Sequence, residues 1–197
     1  MYKRQIKISP IRISEQLLKT PFENVIITSK NAVESLLMSI PADQLQFKNI
    51  YCVGRRTKRL IEQRIGKVAH TENSAKKLAA YLVDYMSGLE VTYFCSDIRL
   101  DDLPDTLEKN NLKVNEIETY KTKYVPLTLN EGIEAVLFYS PSTVKSYVQK
   151  NSTAATAFCI GETTATEARK HFAEVKVARI PTVESVIDLL NENYKKK

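Results

Sequence analysis

One arrangement of residues occurs twice in this chain, and that repetition constrains the fold more than any other feature. The first copy reads IITSKNAVESLL, YCVGRRTKRLIEQ and HTENSAKKLAAYL; the second reads LFYSPSTVKSYV, FCIGETTATEARK and IPTVESVIDLL. Ser29 and Ser140 each follow an apolar run, with Val33 and Val144 four residues on. Gly54 and Gly161 each close an aromatic-Cys-β-branched triplet, with Thr57 and Thr164 three residues on. Thr71 and Thr182 each precede a serine by three (Ser74, Ser185) and a leucine by seven (Leu78, Leu189). Three stations in the same order in both halves point to two divergent copies of one βαβαβ unit.

The rest of the sequence fits that reading. Short β-branched or aromatic runs predict strands at Asn24–Thr28, Ile50–Val53, Val91–Cys95, Ala135–Tyr139 and Ala157–Ile160, with weaker ones at Lys67–Ala69 and Val175–Ala178. Between them lie helical faces: Ala32, Val33, Leu36 and Leu37; then Leu60, Ile61, Arg64 and Ile65, stopped by Gly66; then Leu78, Leu82 and Tyr85; Leu103 and Leu107; and Val186, Leu189 and Leu190. Strands alternating with such helices predict βαβ units and a mainly parallel sheet. Two stretches, Tyr2–Ile13 and Val114–Val125, are extended with no helical period. They predict two crossings between lobes. One lobe is then contiguous, residues 14–122; the other is discontinuous, residues 1–13 plus 123–197.

Each station is the same device: a strand ends, a small polar residue or glycine turns the chain, and a helix begins. Serine or threonine there caps free backbone N–H groups at the positive end of the helix dipole. These turns lie at the carboxyl edge of the sheet, where open α/β sheets bind ligands. Two such lobes facing one another would make a cleft of N–H and hydroxyl donors suited to anions. The net charge of +6 suits an anionic ligand too, and the bases are dispersed except for Lys195–Lys197. Nucleic acid calls for a focused basic stripe with interleaved aromatics, so no nucleic-acid partner is expected. Neither G-x-G-x-x-G nor G-x-x-x-x-G-K-[ST] is present, so a nucleotide or sugar-phosphate enzyme lacks its usual signal.

Cys52, Cys95 and Cys159 sit in strand-like apolar runs and read as buried thiols. With only His70 and His171 beside them, no Cys/His metal set assembles. No apolar run approaches the ~20 residues of a membrane helix, and MYKRQIKISPIRIS has no apolar block of a secretory leader. A cytoplasmic protein with no membrane partner is expected.

The ordered motifs resemble the uroporphyrinogen-III synthase family. They are Thr28-Ser29-Lys30-Asn31-Ala32-Val33, Val53-Gly54-Arg55-Arg56-Thr57, Asn73-Ser74-Ala75, Ser96-Asp97-Ile98-Arg99, Glu116 to Thr122, Tyr139-Ser140-Pro141-Ser142, Ile160 to Ala165, and Pro181-Thr182. The resemblance implies two flavodoxin-like lobes with parallel sheets, joined by two extended crossover segments. It implies a cofactor-free enzyme acting on hydroxymethylbilane, a linear tetrapyrrole with eight carboxylates, which it closes with inversion of ring D to uroporphyrinogen III. The family also has a further strand and helix ahead of the segment matching Tyr2–Ile13. The second lobe is therefore expected to lack its first β-α unit and to be smaller, or to compensate by self-association in a family of monomers.

Tyr120 matches the family's tyrosine, implied to assist departure of the substrate hydroxyl; the alternative is a linker tyrosine packed on one lobe. Ser29, Thr57, Ser140, Thr163 and Thr164 are the candidate substrate contacts, each also a candidate helix cap. Arg99 is the candidate cation for a carboxylate, against a solvated arginine. Tyr93, Tyr124 and Tyr139 read as strand packing. The competing function is a non-catalytic relative, a two-lobed module that binds an anion without turnover.

Overall fold

The structure, a computed structural model, describes residues 5–99, 102–130 and 132–194. These fall into two compact units. One is Ile8–Thr122; the other joins the residues up to Lys7 to those from Lys123 on. The divisions fall inside β1 (Ile6–Pro10) and β6 (Lys113–Tyr124), the two extended segments.

In the larger unit, β1 leads through the short helix α1 (Glu15–Leu18) into a regular alternation. This runs β2 (Phe22–Ile27), α2 (Lys30–Ser39), β3 (Phe47–Val53), α3 (Arg55–Arg64), β4 (His70–Glu72), α4 (Ala75–Met86), β5 (Glu90–Ser96), α5 (Asp102–Lys109) and β6. The sheet order is β1-β6-β5-β2-β3-β4. The pairs β2–β3, β2–β5, β3–β4 and β5–β6 are parallel. β1 runs antiparallel to β6, since Ile11 N–H bonds Thr119 O and Val125 N–H bonds Gln5 O.

The central strands read as unbroken apolar runs because helices cover both faces. Val25 and Ile27 of β2 and Phe94 of β5 join Val33, Leu36 and Ile61 of α2 and α3. Ile26, Val91, Tyr93 and Cys95 point the other way, onto Leu78 and Leu82 of α4 and Leu103 and Leu107 of α5. The period of two along a strand makes this division.

The smaller unit runs β7 (Ala135–Phe138), α6 (Pro141–Tyr147), β8 (Thr156–Cys159), α7 (Glu162–Ala168), β9 (Val175–Val177) and α8 (Val183–Tyr194). Its strands form a parallel sheet in the order β7-β8-β9. One face packs Phe138, Tyr147 and Phe172 edge-on with α6 and α7; the other packs Phe158 and Ala178 under Val186 of α8.

The repeat is therefore real in three dimensions: β7-α6-β8-α7-β9-α8 follows the order of β2-α2-β3-α3-β4-α4. Ile27 pairs with Cys52 in one sheet and Phe138 with Cys159 in the other. One difference is at the sheet edge. β2 has β5 on its far side, whereas among the described residues β7 pairs with β8 alone.

Two sequence expectations need correction. The strand expected at Lys67–Ala69 forms at His70–Glu72, because β3 recruits it by the register Tyr51–His70, Cys52–Thr71 and Val53–Glu72. That register also undoes the match of Thr71 with Thr182. Cys52 pairs with Thr71 but Cys159 pairs with Val177, so Thr71 lies within a strand. The true counterpart of Thr182 is Ser74. Ser74 accepts from Lys77 N–H, and Thr182 accepts from Ser185 N–H. A two-residue connection precedes α4 and a five-residue one precedes α8, which displaces the pattern by three positions.

Candidate functional site

The carboxyl end of the larger sheet gathers most of the residues singled out from the sequence. Ser29 caps α2, accepting a hydrogen bond from Asn31 N–H at 3.1 Å. Tyr120 donates its phenolic proton to the same oxygen, also at 3.1 Å. The two are 91 residues apart in sequence, and a β-bulge brings them together. Along β5–β6, Cys95 pairs with Glu118 but Ser96 pairs with Tyr120, so Thr119 is the extra residue. Ile117 packs into the α2–α3 core. Strict alternation would send Tyr120 to the opposite face; the extra residue restores it to the face of Ile117 and Ser29. Thr119 is fully buried, and its hydroxyl donates to Cys95 O at 2.9 Å, satisfying a carbonyl beside the irregularity. Tyr120 itself is 8% exposed and belongs to that core. It is thus both packed and hydrogen-bonded at the sheet end.

The β5–α5 turn is tied to the same strand. Asp97 Oδ1 accepts from Ile98 N–H, from Thr122 N–H and from Ser96 Oγ. Ser96 and Thr122 also share a hydroxyl contact at 3.2 Å. Arg99 forks onto both carboxylate oxygens of Glu116, the Nη2–Oε1 contact being 2.6 Å. Its charge is engaged on β6 rather than solvated. Burial, and next the charge of Glu116, push the neighbouring Cys95 thiol up to about 12, so it is no nucleophile at neutral pH.

In the smaller unit Ser140 caps α6, accepting from Thr143 N–H at 3.4 Å, and its oxygen lies 3.0 Å from that of Ser142. It is the structural counterpart of Ser29, but among the described residues no tyrosine donates to it as Tyr120 does to Ser29.

Thr57, Thr163 and Thr164 are not caps. Gly54 and Gly161 occupy the cap positions of α3 and α7 themselves, so the threonines fall inside the first turn. Thr57 and Thr164 are each the third residue of their helix and are buried, 7% and 3% exposed. Among the described residues neither hydroxyl makes a hydrogen bond. Thr163 is exposed. Thr163 and Thr164 thus lie in different environments. The two glycines also differ: Gly54 has φ +83° while Gly161 is extended at φ −174°.

A family model described as uroporphyrinogen-III synthase HemD matches residues 5–188, nearly the whole chain. The chain belongs to the uroporphyrinogen-III synthase family. It is 26% identical over 214 residues to the porphyrin biosynthesis protein HemD of Ruminiclostridium josui, covering 95% of this chain. The chain spans 42% of the length of that relative. Among solved structures it resembles the uroporphyrinogen-III synthetase of Helicobacter pylori 26695, with TM-score 0.73 and 20% identity over 96% of this chain and 91% of that one. It also resembles a mutant uroporphyrinogen III synthase of the extremely thermophilic bacterium Thermus thermophilus, with TM-score 0.71 and 15% identity over 98% and 88%. These likenesses establish the fold.

Set beside the motifs of this uroporphyrinogen-III synthase family member, sequence reasoning passed over two residues. Tyr93, read as strand packing, directs its phenol to Thr28 Oγ1 at 3.1 Å. Thr119 carries no signal at all, because a bulge is not visible in a run of β-branched and polar residues. No helix among the described residues is long and apolar enough to cross a membrane.

Proposed function

We propose that this chain is a uroporphyrinogen-III synthase, closing hydroxymethylbilane to uroporphyrinogen III with inversion of ring D and loss of water. The observation that carries the reading is the Tyr120–Ser29 hydrogen bond at the carboxyl end of the larger sheet, held by the Thr119 bulge. In the reaction the terminal C–O bond of the substrate breaks. The pyrrole nitrogen supplies the electron pair, Tyr120 gives up its bond to Ser29 and delivers a proton so that water leaves, and the pyrrole N–H proton then returns to the Tyr120 phenolate. The resulting azafulvene is captured by ring D through a spiro intermediate, which rearranges and closes. The enzyme's task is to hold a flexible polyanion so that this closure outruns the direct one, which gives the type I isomer.

Ser29, Thr57, Ser140, Thr163 and Thr164 supply hydroxyls for the substrate's carboxylates, and Arg99 supplies a cation when it exchanges Glu116 for substrate. The larger unit, Ile8–Thr122, acts as one lobe and the residues up to Lys7 with those from Lys123 on as the other, in the cytoplasm. Incubation with freshly made hydroxymethylbilane, oxidation and separation of the isomers tests the assignment. Type III in excess supports it; type I alone marks an anion-binding relative without turnover.

A further inference from the structure

Thr28 and Ser29 are consecutive at the end of β2, and a tyrosine from a neighbouring strand engages each hydroxyl. Tyr120 of β6 reaches Ser29 and Tyr93 of β5 reaches Thr28, both at 3.1 Å. Tyr120 lies with the α2–α3 core and Tyr93 with the α4–α5 core. Two phenols therefore converge on one turn from opposite faces of the sheet.

A hydroxyl has one proton to give and two lone pairs to receive. Ser29 Oγ already receives from Asn31 N–H and from Tyr120, so its own proton must be offered elsewhere. Tyr93 is 6% exposed, and burial is the main cause that pushes its phenol up to about 12, so it keeps its proton. A phenol is the stronger acid of a phenol–alcohol pair, so Tyr93 donates and Thr28 receives. The Thr28 proton is then free to point away from Tyr93, beside that of Ser29.

We propose that Tyr93 is a positioning residue: by donating to Thr28 it turns the Thr28 proton outward, so that Thr28 and Ser29 present adjacent hydroxyl donors to one substrate carboxylate. This rests on the synthase reading above. The sequence alone gives Tyr93 a packing role, and its hydrogen bond is what separates it from Tyr51 and Val91 in the same core.

The test is a cycle of Tyr93→Phe, Thr28→Val and the double variant, with kcat, KM, isomer ratio and thermal midpoint measured for each. Tyr93→Phe should raise KM about three- to tenfold, the scale of one hydrogen bond to a charged ligand's donor, with kcat changed less. The double variant should match Thr28→Val alone, because Tyr93 acts through Thr28. Thr28→Ser, which keeps the hydroxyl, should rescue most of the KM lost in Thr28→Val. Should Tyr93→Phe fold poorly, Thr28→Val breaks the same bond from the other side and must show the same rise in KM. Unchanged KM in a folded Tyr93→Phe, unchanged KM in Thr28→Val, or effects that multiply in the double, overturns the proposal while the synthase reading stands. Type I product alone from the unaltered protein overturns both.

Discussion

Replacing Tyr120 by phenylalanine removes a single oxygen from the centre of the candidate site. The ring stays: at 8% exposure it fills a core shared with Ile27, Phe94 and Ala32, and phenylalanine fills the same volume. The lost hydrogen bond to Ser29 is worth about 0.5–1.5 kcal/mol net. In a chain of this size that lowers the thermal midpoint by roughly 2–4 °C per kcal/mol. The cap of α2 survives, because Ser29 still receives Asn31 N–H. Stability is thus nearly untouched while the proton source for the departing hydroxyl is gone. General-acid assistance contributes about 10²–10⁴-fold, so kcat should fall at least several-fold and as much as that range. The assay is initial-rate formation of uroporphyrinogen III, paired with a thermal melt on the same preparation. Turnover equal to the unaltered protein refutes the role of Tyr120. So does a loss matched by the fraction unfolded, which would make the residue structural only.

Three further perturbations follow from the same geometry. Thr119→Val leaves the buried Cys95 carbonyl without its donor and should cost about 1–3 kcal/mol in denaturant unfolding; a stability unchanged within error removes the bulge from the account. Gly54→Ala meets no atom within 4 Å but forces alanine to φ +83° and ψ 141°, costing about 1–3 kcal/mol. Gly161→Ala, extended and equally unobstructed, should cost only the roughly 0.5–1 kcal/mol by which glycine outranks alanine at a helix N-cap, and equal losses would contradict this distinction between the repeats. Burial raises the Cys95 and Cys159 thiols to about 12 and about 11 from an ordinary 9.0. A thiol raised in the folded state adds stability that is complete below pH 9.0 and is lost as pH climbs toward the folded values. The denaturant midpoint should fall over that window, and thiol reagents at neutral pH should label the native chain far more slowly than the unfolded one. Rapid native labelling would contradict the burial.

Much of the architecture was written in the periodicity. Runs such as VII in β2 and VTYFC in β5 are apolar on both faces because both faces are covered, and the helices between them show their buried stripes plainly. Duplication made the smaller sheet legible from the larger one. Sequence could not resolve details that depend on one strand's neighbour. The position of β4 is set by β3 and not by its own residues, which is why a Lys67–Ala69 strand became His70–Glu72. The third pair of stations slipped by three because connection length, invisible to a pattern of Thr, Ser and Leu, differs between the lobes. At the site, Ser29 and Ser140 announce themselves as caps by following a strand and preceding a helix, and both are. Thr57 and Thr164 do not cap, since a glycine already turns the chain there. Arg99 was legible as a cation but its fork onto Glu116, 17 residues away, was not. Tyr93 and Tyr120 look alike in sequence, two tyrosines in β-rich runs; only the register of β5 against β2 and β6 shows that both phenols reach one turn.

The central claim is that this fold steers ring closure. Incubating the protein with freshly made hydroxymethylbilane and resolving the oxidised products measures that directly. Uroporphyrinogen III in excess over the type I isomer is the predicted result. Type I at the rate seen without protein, from a chain shown to be folded, contradicts it.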